Sequence, residues 1–317
     1  MNKSHSFESS QSLAAAITWK ASKQSYYTVR FLVDRDRKLE AYQAYAYFRW
    51  VDDRLDQATI SASERIAFVD QQTTLMERCF RGDWPSHTTV EESMLVDLIR
   101  GDREKNSRLQ AYIRNLMAVM AFDAHRRDRP ISEDELAEYS RLLATAVTEA
   151  LYYFIGHNCS APHGAASYLA ATGAHITHML RDTLDDAQAG YFNIPREFLE
   201  SHNITPQDVS SDAYQAWVRS RVRLARLCLK AGKNNVAQAA NLRCRLAGFA
   251  YIARFESVLD AIERDGYCLR SEYPECKRLG TTVKMVWSVL TLALAHHRTG
   301  APSPTLLARR NPSEGKS

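Results

Sequence analysis

Two short acid clusters carry the chemistry in this sequence: Asp52-Asp53-Arg54-Leu55-Asp56 and Asp182-Thr183-Leu184-Asp185-Asp186, 130 residues apart, with Arg49 before the first and Arg181 before the second. On a helix of 3.6 residues per turn, Asp52 and Asp56 share a face, as do Asp182 and Asp186, so two facing helices would present four carboxylates to one cavity. Carboxylates crowded in that way repel one another unless cations join them. Mg²⁺ suits such a set, because it takes one or two protein carboxylates, keeps several waters and completes its octahedron with substrate phosphate oxygens, with no Cys or His cage. The chemistry these residues point to is the handling of a diphosphate.

Aspartates four apart also decorate solvated helix faces, and the neighbouring residues decide between the two readings. Tyr45, Phe48, Asp52 and Asp56 fall on one side of a helical projection, so the first cluster continues an apolar and aromatic stripe. His175, His178, Asp182 and Asp186 are spaced i, i+3, i+7 and i+11, again one stripe, flanked by Ile176, Met179 and Leu180. Acids on a buried stripe are rare unless they are paired or bind a metal.

The elements that must hold these stripes are helical. Only 12 glycines and 9 prolines punctuate 317 residues, and strand-like alternation is scarce, which predicts an all-α chain. One domain is expected over residues 12–298, followed by a disordered, proline-containing tail over 299–317. Helices are predicted at 12–33, carrying Trp19, Ser22, Lys23, Tyr26 and Tyr27, and at 36–57, ending in the first cluster. A further helix starts at Ser61-Ala62-Ser63-Glu64. Ser132 with Glu135 forms a capping box before the apolar run Leu136 to Ile155. A break at Pro162 and Gly164 precedes the helix of the second cluster, which Gly190 and Pro195 stop. Two more helices are read at 211–231 and 238–265, the latter closed by Gly266.

Composition excludes several function classes. A net charge of +4 with acids mixed among the bases implies no polyanion partner. The basic run Arg219, Arg221, Arg223, Arg226, Lys230 and Lys233 lacks interleaved aromatics and reads as a solvated helix face, so no nucleic-acid partner is expected. The six cysteines show no CxxC and read as reduced, mostly buried thiols. The polar N-terminal stretch has no secretory apolar segment, which points to a cytoplasmic protein. Val286 to Ala295 is too short to span a bilayer and suits a peripheral membrane contact or an apolar cavity. There is no glycine-rich phosphate loop and no GxSxG elbow.

Tyr47-Phe48-Arg49-Trp50-Val51-Asp52-Asp53-Arg54-Leu55-Asp56 and Met179-Leu180-Arg181-Asp182-Thr183-Leu184-Asp185-Asp186 resemble, in order and separation, the two signatures of the squalene and phytoene synthase family. Ser22-Lys23, Glu135-Leu136, Tyr139, Gly190, Pro195 and Asp265-Gly266-Tyr267 extend the resemblance over roughly residues 15–290. It implies an all-helical isoprenoid synthase bundle whose central cavity binds a prenyl diphosphate through Mg²⁺. Asp52, Asp56, Asp182 and Asp186 would be metal ligands; Arg49, Arg181, Ser22 and Lys23 would hold phosphate oxygens; Asp53, Asp185 and Tyr45 would support the site.

The sequence departs from that pattern around the second cluster. His175 and His178 replace the family's Gln and Asn, Tyr191 and Asn193 replace its Arg and Tyr, and Thr145 and Thr148 stand where central-helix glycines are usual, which is expected to narrow the cavity. These changes tilt the reading from head-to-head joining towards members that resemble the synthases yet prenylate an aromatic, carbazole-like acceptor. There His175 or His178 would take the ring proton, since imidazole titrates near neutral pH. The alternative acceptor is a second prenyl diphosphate, giving a squalene-like or phytoene-like hydrocarbon. A terpene cyclase or a non-catalytic assembly factor would share the same clusters. Tyr152, Tyr153 and Phe154 read as core rather than as cavity lining.

Overall fold

The computed structural model describes residues 3–156 and 164–274, with side chains from residue 12 onwards. Among the described residues it is all-α. Eleven helices follow in order: α1 (Lys3–Ala21), α2 (Lys23–Phe31), α3 (Lys38–Leu55), α4 (Ala62–Phe80), α5 (Val90–Gly101), α6 (Arg108–Arg126), α7 (Glu133–Phe154), α8 (Leu169–Gln188), α9 (Arg196–His202), α10 (Asp212–Ala237) and α11 (Leu242–Arg264). The only described strands, β1 (Arg129–Ile131) and β2 (Tyr191–Pro195), form one short parallel pair.

Local sequence explains most helix starts. Ser132 with Glu135 closes the reciprocal capping box that the sequence predicts, and Ser61 with Glu64 closes another at the predicted helix start. Thr89 with Glu92 closes a third, opening a helix that the sequence reading passes over. The predicted helix 12–33 is two helices, because Ser22 adopts an extended φ of −151° and its hydroxyl caps α2 by accepting from the Ser25 N–H at 3.1 Å. The predicted start at 238 moves to Leu242, where the Asn241 side chain accepts from the N–H groups of Arg243 and Cys244. Helix α10 runs six residues past the predicted end at 231. Gly266 follows α11 with φ +65°, the left-handed geometry of a helix stop.

Two large apolar clusters make most of the core, one gathered mainly from α1 and α3–α7 and the other from α8–α11, and Ile131, Leu136 and Met179 form a small third. Cys79 and Cys244 are buried in the first of these, Cys228 is buried on α10, and Cys268 is exposed. The basic run on α10 is partly neutralised by α11: Arg226 donates to Glu263 at 2.7 Å and Lys233 to Glu256 at 3.0 Å. No helix among the described residues is long and apolar enough to cross a membrane. Cys159, Cys276, Pro162, the Val286–Ala295 stretch and the tail 299–317 lie outside the described residues.

Candidate active site

Two cavities follow the same four helices. Near one end, Asp52 and Asp56 of the α3 terminus, Met120 and Asp123 of α6, Tyr139 and Leu143 of α7, and His175, His178, Asp182 and Asp186 of α8 line a space of about 330 Å³. Further along, Tyr45 of α3, Tyr112 and Leu116 of α6, Thr148 and Leu151 of α7, and Ala170 and Ala171 of α8 line a more apolar space of about 430 Å³. Each helix contributes to both, so an acidic chamber and an apolar chamber lie end to end along the bundle.

The acidic chamber is organised by a polar network. Arg126, buried on α6, donates to Asp123 at 2.6 Å and to the Asn193 side-chain oxygen at 2.8 Å. Asn193 in turn donates to Asp186 at 2.7 Å, and Tyr139 donates its hydroxyl to Asp123 at 3.1 Å. The hydroxyl of Tyr191 reaches Asp56 at 3.5 Å. Gly190 permits the turn that delivers Tyr191 and Asn193: its φ is +87°, and any β-carbon there would strike the Asp128 carboxylate. The two positions read from the sequence as departures therefore hold one aspartate of each cluster.

Crowding marks the carboxylates electrostatically. Burial, then the neighbouring Asp56, pushes Asp52 up to about 6 despite Arg49. Burial, then Asp182, pushes Asp186 up to about 7, against the pull of the Asn193 hydrogen bond and Arg126. Asp123 is also raised, chiefly by burial. Charge that is this poorly compensated, on oxygen donors alone, fits hard divalent cations such as Mg²⁺. Among the described residues no three ligand side chains converge as a ready-made metal cage.

The two histidines differ. His175 is 5% exposed, both ring nitrogens lack a hydrogen-bond partner, and its ring lies 5.2 Å from that of Tyr139. Burial, then His178 and nearby arginines, lowers it from 6.5 to about 3. His178 is half exposed, with Nε2 3.0 Å from Asp182, and burial lowers it as well. A histidine lowered on folding binds fewer protons in the folded state, so its contribution is complete above about 6.5 and is lost as pH falls towards about 3. Between pH 7.5 and 5 the wild type should therefore lose about 2 kcal/mol relative to His175→Gln in urea titrations. A constant difference between the two proteins would mean that His175 is solvated or paired.

The remaining predicted residues divide. Arg49 donates to Asp52 at 3.2 Å and pairs with Asp53, and Arg181 grips Asp182 with two bonds of 2.6 Å; neither arginine lines the chamber. Asp53 and Asp185 are exposed. Ser22 is spent on capping α2, and the exposed Lys23 lies over the Trp19 ring, 5.4 Å from its centroid. Tyr45 lines the apolar chamber instead of the acidic one. Thr148 also faces the apolar chamber, whereas Thr145 points to a separate cavity between α7, α8 and α10 and cannot narrow this one. The aromatics read as core, Tyr152, Tyr153 and Phe154, are all buried in the first apolar cluster; Tyr153 donates to Glu40 beneath the Arg37 guanidinium, and Tyr152 and Phe154 also form part of the apolar chamber's wall. Sequence reading misses Asp123 and Arg126. The signal is present, because Leu116, Met120 and Asp123 fall on one apolar stripe.

An all-helical bundle in which two aspartate clusters meet beside an apolar chamber defines a class of isoprenoid synthase-like folds. A profile of the squalene/phytoene synthase family matches residues 19–279, and the chain belongs to that family. The crystal structure of squalene synthase HpnC from Alicyclobacillus acidocaldarius superposes with a TM-score of 0.65, at 19% identity, over 83% of this chain and 96% of that one. Chloroplastic phytoene synthase of Daucus carota is 26% identical over 127 residues, which is 39% of this chain and 30% of the carrot protein.

Proposed function

We propose that this protein is a Mg²⁺-dependent prenyltransferase that ionises a prenyl diphosphate and forms a carbon–carbon bond to an aromatic, carbazole-like acceptor. The observation that carries the reading is the convergence of Asp52, Asp56, Asp182 and Asp186 on one chamber that leads into an apolar one. Bound Mg²⁺ would supply charge neutralisation for the departing diphosphate. The aspartates of both clusters would hold that ion, and the Arg126–Asn193 link keeps Asp186 aimed at it. Arg49 and Arg181, now paired with their own aspartates, would turn to phosphate oxygens once metal takes over those carboxylates. The prenyl chain would lie in the apolar chamber.

Ionisation breaks the carbon–oxygen bond, and its electron pair leaves with pyrophosphate. A π pair of the acceptor ring then forms the new bond, and the ring proton must go to a base. His175 is the better placed of the two histidines: it stays neutral at physiological pH and both of its nitrogens are unengaged. A ring made cationic by attack is so strong an acid that even a weakly basic imidazole takes its proton.

Head-to-head condensation of two prenyl diphosphates is the second reading, favoured by the family and by the fold shared with squalene synthase HpnC. One experiment separates them. Purified protein is incubated with Mg²⁺ and prenyl diphosphates of increasing length, with and without aromatic acceptors, and the products are identified by mass spectrometry. A prenylated ring is expected; a hydrocarbon of twice the prenyl length, formed without acceptor, would overturn the first reading.

A further inference from the structure

The apolar chamber is not lined by hydrocarbon alone. Tyr112 of α6 is 8% exposed, and its ring is held edge-on by Phe48 and Phe154, with centroids 5.5 and 6.1 Å away. Its hydroxyl finds no hydrogen-bond partner among the described residues. Thr148 of α7 is 6% exposed and likewise has none. By contrast, Thr145, Thr172, Thr177 and Thr183 each donate to the carbonyl four residues back, at 2.7 to 3.0 Å. Tyr112 and Thr148 both belong to the chamber lining, as does Tyr152, which is 5% exposed, makes no hydrogen bond among the described residues and lies beside the Arg108 guanidinium.

Neither hydroxyl oxygen is sealed off from the chamber, so each can be hydrated while the chamber is open, and a phenylalanine or valine of the same shape would present no polar atom there. A ligand made only of hydrocarbon would displace that water and bury the hydroxyls unpaired, which is unfavourable. A ligand with a ring N–H or hydroxyl gives them a partner, because each side-chain hydroxyl both donates and accepts. Building on the acceptor reading above, we propose that Tyr112 and Thr148 recognise a hydrogen-bonding heteroatom on an aromatic acceptor seated in the apolar chamber. Tyr112 is seven residues from Val119, where the acidic chamber begins on α6, and Thr148 is five from Leu143 on α7. At 1.5 Å per residue the anchor lies about 7–10 Å from the acidic chamber, the length of a fused ring system. The heteroatom would be pinned at the far end, and the ring carbon nearest the aspartates would meet the prenyl cation.

Carbazole and fluorene test this, since they share a tricycle and differ by N–H against CH₂. Calorimetry on the full chain should show carbazole binding about tenfold tighter than fluorene, the worth of one buried hydrogen bond. Tyr112→Phe and Thr148→Val should each shrink that preference, and the double variant should erase it while fluorene binding holds, which also reports an intact fold. Equal wild-type affinities, binding of neither probe, or a preference that survives in the double variant would each overturn the assignment. The product assay reads separately: carbazole preferred in binding, with only a double-length hydrocarbon formed, would sink acceptor transfer and leave the chamber's polar recognition in place.

Discussion

Asp52→Ala and Asp182→Ala should each cut pyrophosphate release by about a thousandfold, whatever the acceptor, because each removes a fixed charge that acts where the leaving group departs. Their sequence neighbours provide the contrast. Asp53 and Asp185 are exposed and line neither chamber. Asp53→Ala gives up only its exposed pair with Arg49, and a loss of at most about 1 kcal/mol limits the effect to about fivefold. Stability separates the expected loss from simple unfolding. Asp52 is pushed up to about 6 by burial and by repulsion from Asp56, with Asp123 adding to it, so at neutral pH, where it is still mostly ionised, its charge costs the folded protein stability. Alanine relieves that repulsion, and the metal-free variant should melt no lower than the wild type. Full activity in Asp52→Ala or Asp182→Ala would overturn the metal assignment, and equal losses at Asp52 and Asp53 would mean that the whole cluster acts only through its net charge.

How much of this site is legible in the sequence depends on how local each signal is. The stripe Tyr45-Phe48-Asp52-Asp56 is confined to one helix, and its period of about 3.6 is enough to put both aspartates on the chamber side. The helix start at Ser61 and the capping box at Ser132 are legible for the same reason. The box at Thr89-Glu92 and the acid stripe ending at Asp123 are equally local and go unread, because a lone acid without a cluster draws less attention. Asn193 and Tyr191 are different. Their work depends on a turn at Gly190 and on Arg126, 67 residues away from Asn193, and no periodicity links positions that far apart. Ser22 shows propensity overruled: residues on either side favour helix, yet its hydroxyl caps the second helix and divides the first from it. The end predicted for α10 at residue 231 falls one short of Gly232, yet that glycine lies inside the helix and serves contact rather than termination.

Gly232→Ala should destabilise the protein by about 2 kcal/mol or more, although alanine is the better helix former. Gly232 lies inside α10 in ordinary helical geometry, where replacing glycine by alanine should gain about 1 kcal/mol of helix propensity. A β-carbon there, however, would stand 2.4 Å from the backbone nitrogen of Ala170 and 2.6 Å from its Cα. Those are main-chain atoms of α8 and cannot rotate away, so α10 must slide off α8, and overpacking of this kind typically costs about 1–3 kcal/mol and occasionally more. On the same interface Gly173 lets Leu229 and the Ala225 carbonyl approach, so displacement at Gly232 also loosens the next turn of contact. Gly101→Ala on α5 is the matched control. Its new methyl group meets nothing closer than the Glu40 carboxylate at 3.9 Å, and about 0.5 kcal/mol of added stability is expected. Urea titrations read both signs directly, and a Gly232→Ala protein as stable as the wild type would show that the two helices are not packed backbone to backbone. Because α8 carries His175, Asp182 and Asp186, activity should fall together with stability in Gly232→Ala, the opposite pattern to Asp52→Ala, where activity is lost and stability is kept.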